Sequence, residues 1–216
     1  FVIFLILNLW FCCSYSINFL HITDIHFDPY YYPGAPNNCV LINNGLRCCR
    51  KLDIPKEPYH NASKWGDYNC DTSELLINNT LKWIDTNLIS ANKIDFVIFT
   101  GDTVGHHDIS QSYDQNINTL NRLADLFNHY FPSTPFFMTI GNHDTWPIDQ
   151  TIPFVTQDIL YNIAPKWSKW LDAEGHKNLS ETGYYSHSFN QSISNKRLQG
   201  WKIISFNSLW YDSNNL

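Results

Sequence analysis

The stretch Gly141-Asn142-His143-Asp144 decides how this chain folds. It follows the apolar run 136–140, which has the length and composition of a buried strand. Gly141 permits a sharp turn after that strand, and the next three residues offer an amide, an imidazole and a carboxylate. We therefore interpret this stretch as a polar site at the tip of a buried strand.

Two further apolar runs end in the same way. Residues 17–22 form one predicted buried strand, which Asp24 and His26 follow, and residues 95–100 form a second, which Asp102 follows. Because side chains at i and i+2 of an extended chain share a face, Asp24 and His26 can present a carboxylate and an imidazole together. Taken singly, each cluster also fits a surface ion pair or a turn. The occurrence of all three polar clusters, each at the end of a predicted strand, indicates a metal site.

The segments between these strands have helical periodicity. We predict helices at 72–89, 114–131 and 156–171, with a kink or break at Pro165. In the first helix we expect an apolar face made of Leu76, Trp83, Ile84 and Leu88. Two more strands are predicted at 183–189 and 201–206. Helices between strands imply parallel pairing with right-handed crossovers, and ligands in such folds bind at the carboxyl ends of the strands.

Composition places the chain among globular proteins. It has 216 residues, of which 44% are apolar and 16% aromatic, enough for one domain with a sizeable core. The net charge of -6 argues against a nucleic-acid partner, which usually requires a basic face. Residues 1–11 are almost entirely apolar, and Ser14-Tyr15-Ser16 gives a small-x-small pattern. We interpret residues 1–16 as a partial signal peptide, with a buried strand or an anchor as alternatives.

Cysteine usage agrees with a secretory route. The segment 28–71 is predicted to be a long loop, and it contains Cys39, Cys48, Cys49 and Cys70. In an oxidising compartment these four form disulfides. Neighbouring cysteines rarely bridge each other, so two pairings remain, and a zinc site made of the four is the alternative.

Glycosylation sequons support the same route. Four N-x-S/T sequons occur, at Asn61, Asn78, Asn178 and Asn190. We expect a secreted or lysosomal glycoprotein.

The motifs D-x-H, GD and GNHD, in this order, resemble those of the calcineurin-like metallophosphoesterases. Segments that narrow the resemblance lie at 48–50, 65–71, 100–106, 167–171 and 183–186. They are similar to acid sphingomyelinase and its phosphodiesterase relatives, over about residues 19–207. The resemblance implies an α/β fold in which a β-sandwich with a βαβαβ core is flanked by helices. The catalytic domain would occupy residues 17–216, without a preceding saposin domain.

The resemblance also implies a dinuclear metal centre. Asp24 and His26 would bind one divalent ion, Asp102 would bridge both, and Asn142 would bind the second. The ions in this branch are typically zinc. Two such ions bind the oxygens of an anionic phosphodiester, activate a water and align in-line attack.

Two histidines would act on the phosphodiester itself. His143 would protonate the leaving group, and His106 would face the scissile phosphate, with its neighbour His107 as a competitor for that role. The family's cysteine pattern supports the pairs Cys39–Cys48 and Cys49–Cys70.

The family's remaining ligands are histidines in a GH motif and a later GHxH motif, and neither motif occurs in these 216 residues. We therefore expect a C-terminally truncated fragment with half of the metal site, which binds metal weakly and is inactive alone.

The expected reaction is hydrolysis of sphingomyelin to ceramide and phosphocholine. A nucleotide phosphodiesterase or endopolyphosphatase-like hydrolase is the alternative on the same scaffold, and a non-catalytic secreted glycoprotein is the alternative of another class. We expect a monomer that also contacts a membrane surface.

Overall fold

The computed structural model describes residues 16–40, 48–106, 111–151, 157–189 and 196–215. Nearly all of the predicted signal peptide, His107 and Asn190 lie outside the described residues.

Three parallel strands form the sheet that carries the site. They are β1 (Phe19–Ile22), β2 (Phe96–Phe99) and β3 (Phe136–Met138), and β2 lies in the middle. Ile22 pairs with Phe99, which pairs with Met138, so the three carboxyl ends are level at one edge. Helices α1 (Glu74–Ile84) and α2 (Tyr113–Tyr130) connect consecutive strands. The predicted strand–helix alternation and parallel pairing are therefore confirmed.

The remaining elements are short turns, two further helices and a second, two-stranded sheet. A π-helical turn (Asp85–Ile89) continues α1, and short 3₁₀ turns occur at Asn142–Asp144, Lys196–Leu198 and Ser208–Tyr211. After β3 come α3 (Gln157–Trp167), α4 (Ala173–Thr182), and the antiparallel strands β4 (Tyr185–Ser188) and β5 (Lys202–Ser205). The Tyr185 hydroxyl donates a hydrogen bond of 2.6 Å to the Met138 carbonyl and so joins the two sheets.

Aromatic side chains fill the core between the parallel sheet and its helices. The Phe99 ring stacks on the Trp167 indole at 5.6 Å with an interplanar angle of 11°. Phe127 of α2 and Phe136 of β3 lie 4.6 Å apart, between ring centroids, and close the cluster. These contacts fix α2 and α3 against the strands, so the loops after β2 and β3 start from rigid supports.

The prediction that β1 is buried was wrong. Phe19 is 54% exposed, and the strand alternates between exposed and half-buried residues. Within the described residues β1 is paired on one side alone, with β2. A parallel strand in the middle of a sheet would instead be covered on both faces.

The predicted apolar face of α1 was also wrong in part. Trp83 is 59% exposed and Leu76 is 40% exposed. The buried stripe consists of Ile77, Leu81 and Ile84, at spacings of four and three. Both sets of residues satisfy helical periodicity. The way in which α1 packs against the sheet, which periodicity does not specify, decides which set faces the core.

One helix was missed. The predicted helix 156–171 ends at Trp167, with Pro165 inside its last turn, and α4 follows as a separate helix. The side chain of Asp172 caps the start of α4, and Gly183, at φ 73°, ends it in the left-handed conformation. Within the described ranges, the helices are all too short or too polar to cross a membrane.

Disulfides organise the long segment 28–71. Cys39 pairs with Cys48 and Cys49 pairs with Cys70, which is the pairing that the family pattern implied and which removes the alternative of a four-cysteine zinc site. Isolated bridges join Tyr31 to Arg50 and Pro36 to Asn61. The described parts of this segment therefore form a stapled loop, as predicted, and its last residues lead directly to the site.

Candidate metal centre

The loops after the three parallel strands are joined to each other by backbone hydrogen bonds. The Asp24 N–H donates to the Gly101 carbonyl at 3.0 Å, and the His26 N–H donates to the Asp102 carbonyl at 3.0 Å. The first two loops therefore run side by side beyond the end of the sheet. This pairing places the polar side chains that follow β1 next to the polar side chain that follows β2.

Asp24, His26 and Asp102 converge. Their potential ligand atoms all lie within 4.8 Å of one another. His26 Nε2 is 3.9 Å from an Asp24 carboxylate oxygen and 4.0 Å from an Asp102 carboxylate oxygen. His26 Nδ1 lies 3.0 Å from the Val104 carbonyl, which can only accept, so this nitrogen carries the proton and Nε2 keeps its lone pair. Two carboxylates and an imidazole lone pair are a donor set that fits a divalent cation.

The backbone of this cluster is strained. Asp24, His26 and Asp102 have φ angles of 52°, 44° and 56°, in the left-handed region that non-glycine residues seldom adopt. Such residues cost of order 1–3 kcal/mol each and cluster at functional sites. All three residues that converge therefore carry such strain, and they are three of the six non-glycine residues with positive φ in the described part of the chain.

Gly101 and Gly141 allow the loops after β2 and β3 to touch. A Cβ atom on Gly101 would lie 2.1 Å from the Gly141 nitrogen, and one on Gly141 would lie 2.0 Å from an Asp102 carboxylate oxygen. Both distances are far inside van der Waals contact. The two glycines of the GD and GNHD motifs are thus required by the close approach of these two loops as well as by the turns.

Asn142 enters the site with a fixed amide. Its Nδ2 donates to Asp149 Oδ1 at 2.9 Å, and the Asp149 N–H donates to the Asn142 carbonyl at 3.2 Å. Because Nδ2 is engaged, the amide oxygen is the atom left to meet a cation. Next to it, the His143 N–H donates to Asp102 Oδ1 at 3.1 Å, which connects the third loop to the second.

Asp144 ties these loops together. Its carboxylate is fully buried and accepts backbone N–H groups from Gly141, Asp102, Thr103 and Val104 at 2.7–3.2 Å. Burial raises the pKa of its carboxyl to about 6, while the N–H donors oppose that rise. The contact with the Gly141 N–H caps the turn at Asn142–Asp144, and the other three N–H groups place the carboxylate at the junction of the second and third loops.

Two further histidines lie beside the carboxylate cluster. The His106 and His143 ring centroids are 4.6 Å apart, and they lie 4.1 Å and 5.0 Å from the His26 ring. The carboxylate of the buried Asp71 accepts a hydrogen bond from the backbone N–H of His106 at 2.7 Å and another from the His106 ring nitrogen Nδ1 at 2.8 Å. The predicted residues Asp24, His26, Asp102, His106 and His143 are therefore brought together, and Asn142, next to His143 in the chain, is held by Asp149.

Asp71 and Asp149 were not predicted as part of the site. Asp71 follows Cys70 in the segment 65–71, whose sequence resembles that of the acid sphingomyelinase relatives. The Cys49–Cys70 disulfide anchors that segment, and Asp71 comes directly after it. Adjacency to a disulfide was the signal that could have pointed to a fixed carboxylate.

The predicted glycosylation residues are in unequal settings. Asn61 is exposed, on the stapled loop. Asn78 lies within α1, where its side chain donates to the Glu74 carbonyl and accepts the Tyr130 hydroxyl. Asn178 is half-buried in α4. Among the described sequons, Asn61 is thus the one whose side chain faces solvent most freely.

Comparison with known proteins identifies the family. The profile of the calcineurin-like phosphoesterases matches residues 17–214. The chain belongs to this family. Membership of this family implies divalent metals, and the Asp24–His26–Asp102 cluster is a group of side chains that could hold one.

Individual calcineurin-like phosphoesterases are about 30% identical to the chain. A sphingomyelin phosphodiesterase B of Dictyostelium discoideum is 31% identical over 94% of the chain and 30% of its own length. A cyclic GMP-AMP phosphodiesterase of Homo sapiens is 31% identical over 91% of the chain and 39% of its own length. An acid sphingomyelinase-like phosphodiesterase 3b of Mus musculus is 29% identical over 91% of the chain and 39% of its own length. The chain thus spans between three and four tenths of the length of these relatives.

Proposed function

We propose that the protein hydrolyses a phosphodiester with two divalent cations, zinc ions, held at the tips of its three parallel strands. The observation that carries this proposal is the convergence of Asp24, His26 and Asp102, with ligand atoms within 4.8 Å of one another, beside the rings of His106 and His143. Carboxylates, imidazoles and an amide oxygen gathered at the carboxyl ends of parallel strands suit metal-assisted hydrolysis.

Each metal-facing residue has a role in this proposal. Asp24 and His26 would hold the first cation, Asp102 would serve both cations, and the Asn142 amide oxygen would serve the second. The fixed Nδ1 hydrogen bond of His26 and the Asp149 contact of Asn142 support these roles, because each leaves the required donor atom available. Divalent cations bound there supply positive charge to the phosphodiester oxygens and activate a water as nucleophile.

The two remaining histidines handle protons and charge at the phosphate. His143 donates a proton to the leaving oxygen, because an alkoxide is a poor leaving group without one. His106 faces the phosphate through Nε2, since its Nδ1 is held by Asp71 at 2.8 Å. Asp71 therefore orients the ring and keeps one nitrogen directed to the substrate.

The leaving group offers the sharpest test of His143. We expect His143→Ala to lower kcat by about 10²–10⁴-fold on an alkyl phosphodiester such as sphingomyelin. On bis-p-nitrophenyl phosphate the loss should be much smaller, because p-nitrophenolate leaves without a proton. His129→Ala, on the exposed surface of α2, is the matched control. Equal losses on both substrates would contradict the proton-donor role. The assay uses the longest natural polypeptide that carries these residues.

We propose sphingomyelin as the substrate, with ceramide and phosphocholine as products. The similarity to sphingomyelin phosphodiesterase B supports this choice. A nucleotide is the second candidate, because the cyclic GMP-AMP phosphodiesterase is equally similar, at 31% identity. Parallel kcat/KM measurements on sphingomyelin, cyclic GMP-AMP, ATP and polyphosphate separate these candidates and an endopolyphosphatase-like activity. Metal binding without turnover of any of them would favour a non-catalytic glycoprotein.

We further propose that the protein is a monomer that follows the secretory route to the medium or the lysosome. The disulfides Cys39–Cys48 and Cys49–Cys70 support an oxidising compartment. A lipid substrate would require contact with a membrane surface. Expression in a secreting host, followed by peptide mapping of the glycan on Asn61, tests this route; an unmodified, intracellular product would contradict it.

A further inference from the structure

Three imidazoles meet at the site closely enough to bind one ion together, a role that the proposed hydrolysis does not give them. His26, His106 and His143 come from the loops after β1, β2 and β3, and their ligand nitrogens all lie within 4.8 Å of one another. The ring centroids are separated by 4.1, 4.6 and 5.0 Å, and all three side chains are partly buried. We call these residues the imidazole trio.

Two rings of the imidazole trio are held as metal-binding histidines usually are. His26 donates its Nδ1 proton to the Val104 carbonyl at 3.0 Å, and His106 donates its Nδ1 proton to the Asp71 carboxylate at 2.8 Å. A second partner of this kind fixes the tautomer and leaves Nε2 as a basic lone pair. The trio therefore has both the ligand type and the supporting hydrogen bonds of a cation site.

The imidazole trio shares His26 with the carboxylate cluster of Asp24, His26 and Asp102. One nitrogen cannot serve two ions, so the two groups are alternatives at His26. Their preferences differ, because imidazole suits Cu²⁺, Ni²⁺ and Zn²⁺, whereas carboxylate-rich sets accept Mn²⁺ readily.

We propose that the imidazole trio is a second, competing binding site for one transition-metal ion, with Cu²⁺ bound most tightly. In the tetragonal geometry that Cu²⁺ prefers, adjacent nitrogen ligands about 2.0 Å from the ion lie roughly 2.8 Å apart, so the three rings would move toward a common centre on binding. If the proposed function holds, an ion bound there also occupies the nitrogens of His106 and His143 and inhibits hydrolysis.

The experiment measures binding and ligand type directly, without an activity assay. Chelator-stripped protein is titrated with Cu²⁺ and separately with Mn²⁺, and electron paramagnetic resonance of the Cu²⁺ form counts the nitrogen ligands. We expect three nitrogens in the wild type and two in His106→Gln. His106→Gln should weaken Cu²⁺ binding at least about tenfold and change Mn²⁺ binding less than about twofold. Asp24→Asn should weaken Mn²⁺ binding and spare Cu²⁺.

Controls keep the outcomes distinct. His129→Ala, an exposed histidine of α2, should leave both titrations unchanged. His143→Gln is the second trio variant, and circular dichroism of each variant checks the fold. The proposal is overturned if Cu²⁺ binding follows Asp24 and ignores His106 and His143, or if the spectrum shows fewer than three nitrogens in the wild type. The binding result stands or falls independently of whether the protein hydrolyses phosphodiesters.

Discussion

Replacing Asp144 by Asn tests whether one buried carboxylate holds the site's loops together. Oδ1 of Asp144 accepts the N–H groups of Thr103 and Val104, and Oδ2 accepts those of Asp102 and Gly141. An amide has one oxygen, so either pair of N–H groups would face an NH₂ group instead. Two buried backbone donors would lose their acceptor whichever way the amide turns.

The magnitude follows from two opposing effects. Leaving two buried N–H groups without an acceptor costs about 1–3 kcal/mol each, and the contact with an NH₂ group adds to this, so we take about 5 kcal/mol as the gross loss. Burial raises the pKa of this carboxyl to about 6 even though the N–H donors oppose the rise, so the charged form carries a desolvation cost that a neutral amide does not. The net loss for Asp144→Asn is therefore smaller than the gross loss, and we expect about 2 kcal/mol.

Urea unfolding at pH 8, where the Asp144 carboxyl is ionised, measures this loss. With a slope of about 2 kcal/mol/M the midpoint should fall by about 1 M at unchanged slope. The control is Asp125→Asn, which breaks a surface ion pair with Lys166 and should cost less than about 1 kcal/mol. A loss no larger than that of the control would show that the four hydrogen bonds do not stabilise the loops.

Three further predictions concern the same region. Asp149→Ala frees the amide that Asp149 holds and should weaken metal binding about 10–100-fold by titration, whereas Asp149→Asn, which keeps an acceptor oxygen, should lose less. Gly101→Ala should lower the unfolding free energy by at least about 3 kcal/mol in urea, whereas Gly200→Ala, at φ 85° but with open space, should cost about 1. Replacing Cys49 and Cys70 by Ser should cost about 3 kcal/mol in thermal unfolding, since the bond closes a loop of 21 residues; a loss near zero would contradict the stapling role.

The sequence was sufficient to predict the parallel sheet and the meeting of its polar tips. Apolar runs that end in Gly101-Asp102 or Gly141-Asn142 are local signals, because a buried strand and the turn after it depend on neighbouring residues. The common edge then follows from parallel strands and their crossovers. For this reason Asp24, His26 and Asp102 could be named before their distances were known.

Contacts that span the chain could not be predicted in this way. Asp144 binds N–H groups about 40 residues away, and Asp71 binds His106 35 residues away, so no spacing rule applies to them. The exposure of β1 depends on which strand lies at the edge of the sheet, and the pattern of apolar residues along the chain does not specify the order of the strands. Helix α4 has a polar sequence, and its caps, Asp172 and Gly183, were the signals that could have predicted it.

The left-handed backbone at Asp24, His26 and Asp102 has a consequence for engineering. Glycine adopts these φ angles freely, and the Asp24 side chain is largely exposed, so Asp24→Gly should raise the stability of the fold by roughly 1 kcal/mol while removing a metal-facing side chain. A screen for thermal tolerance alone would therefore enrich variants that have lost the site. Directed evolution of this protein should select for metal binding and heat resistance together, because the two requirements conflict at Asp24.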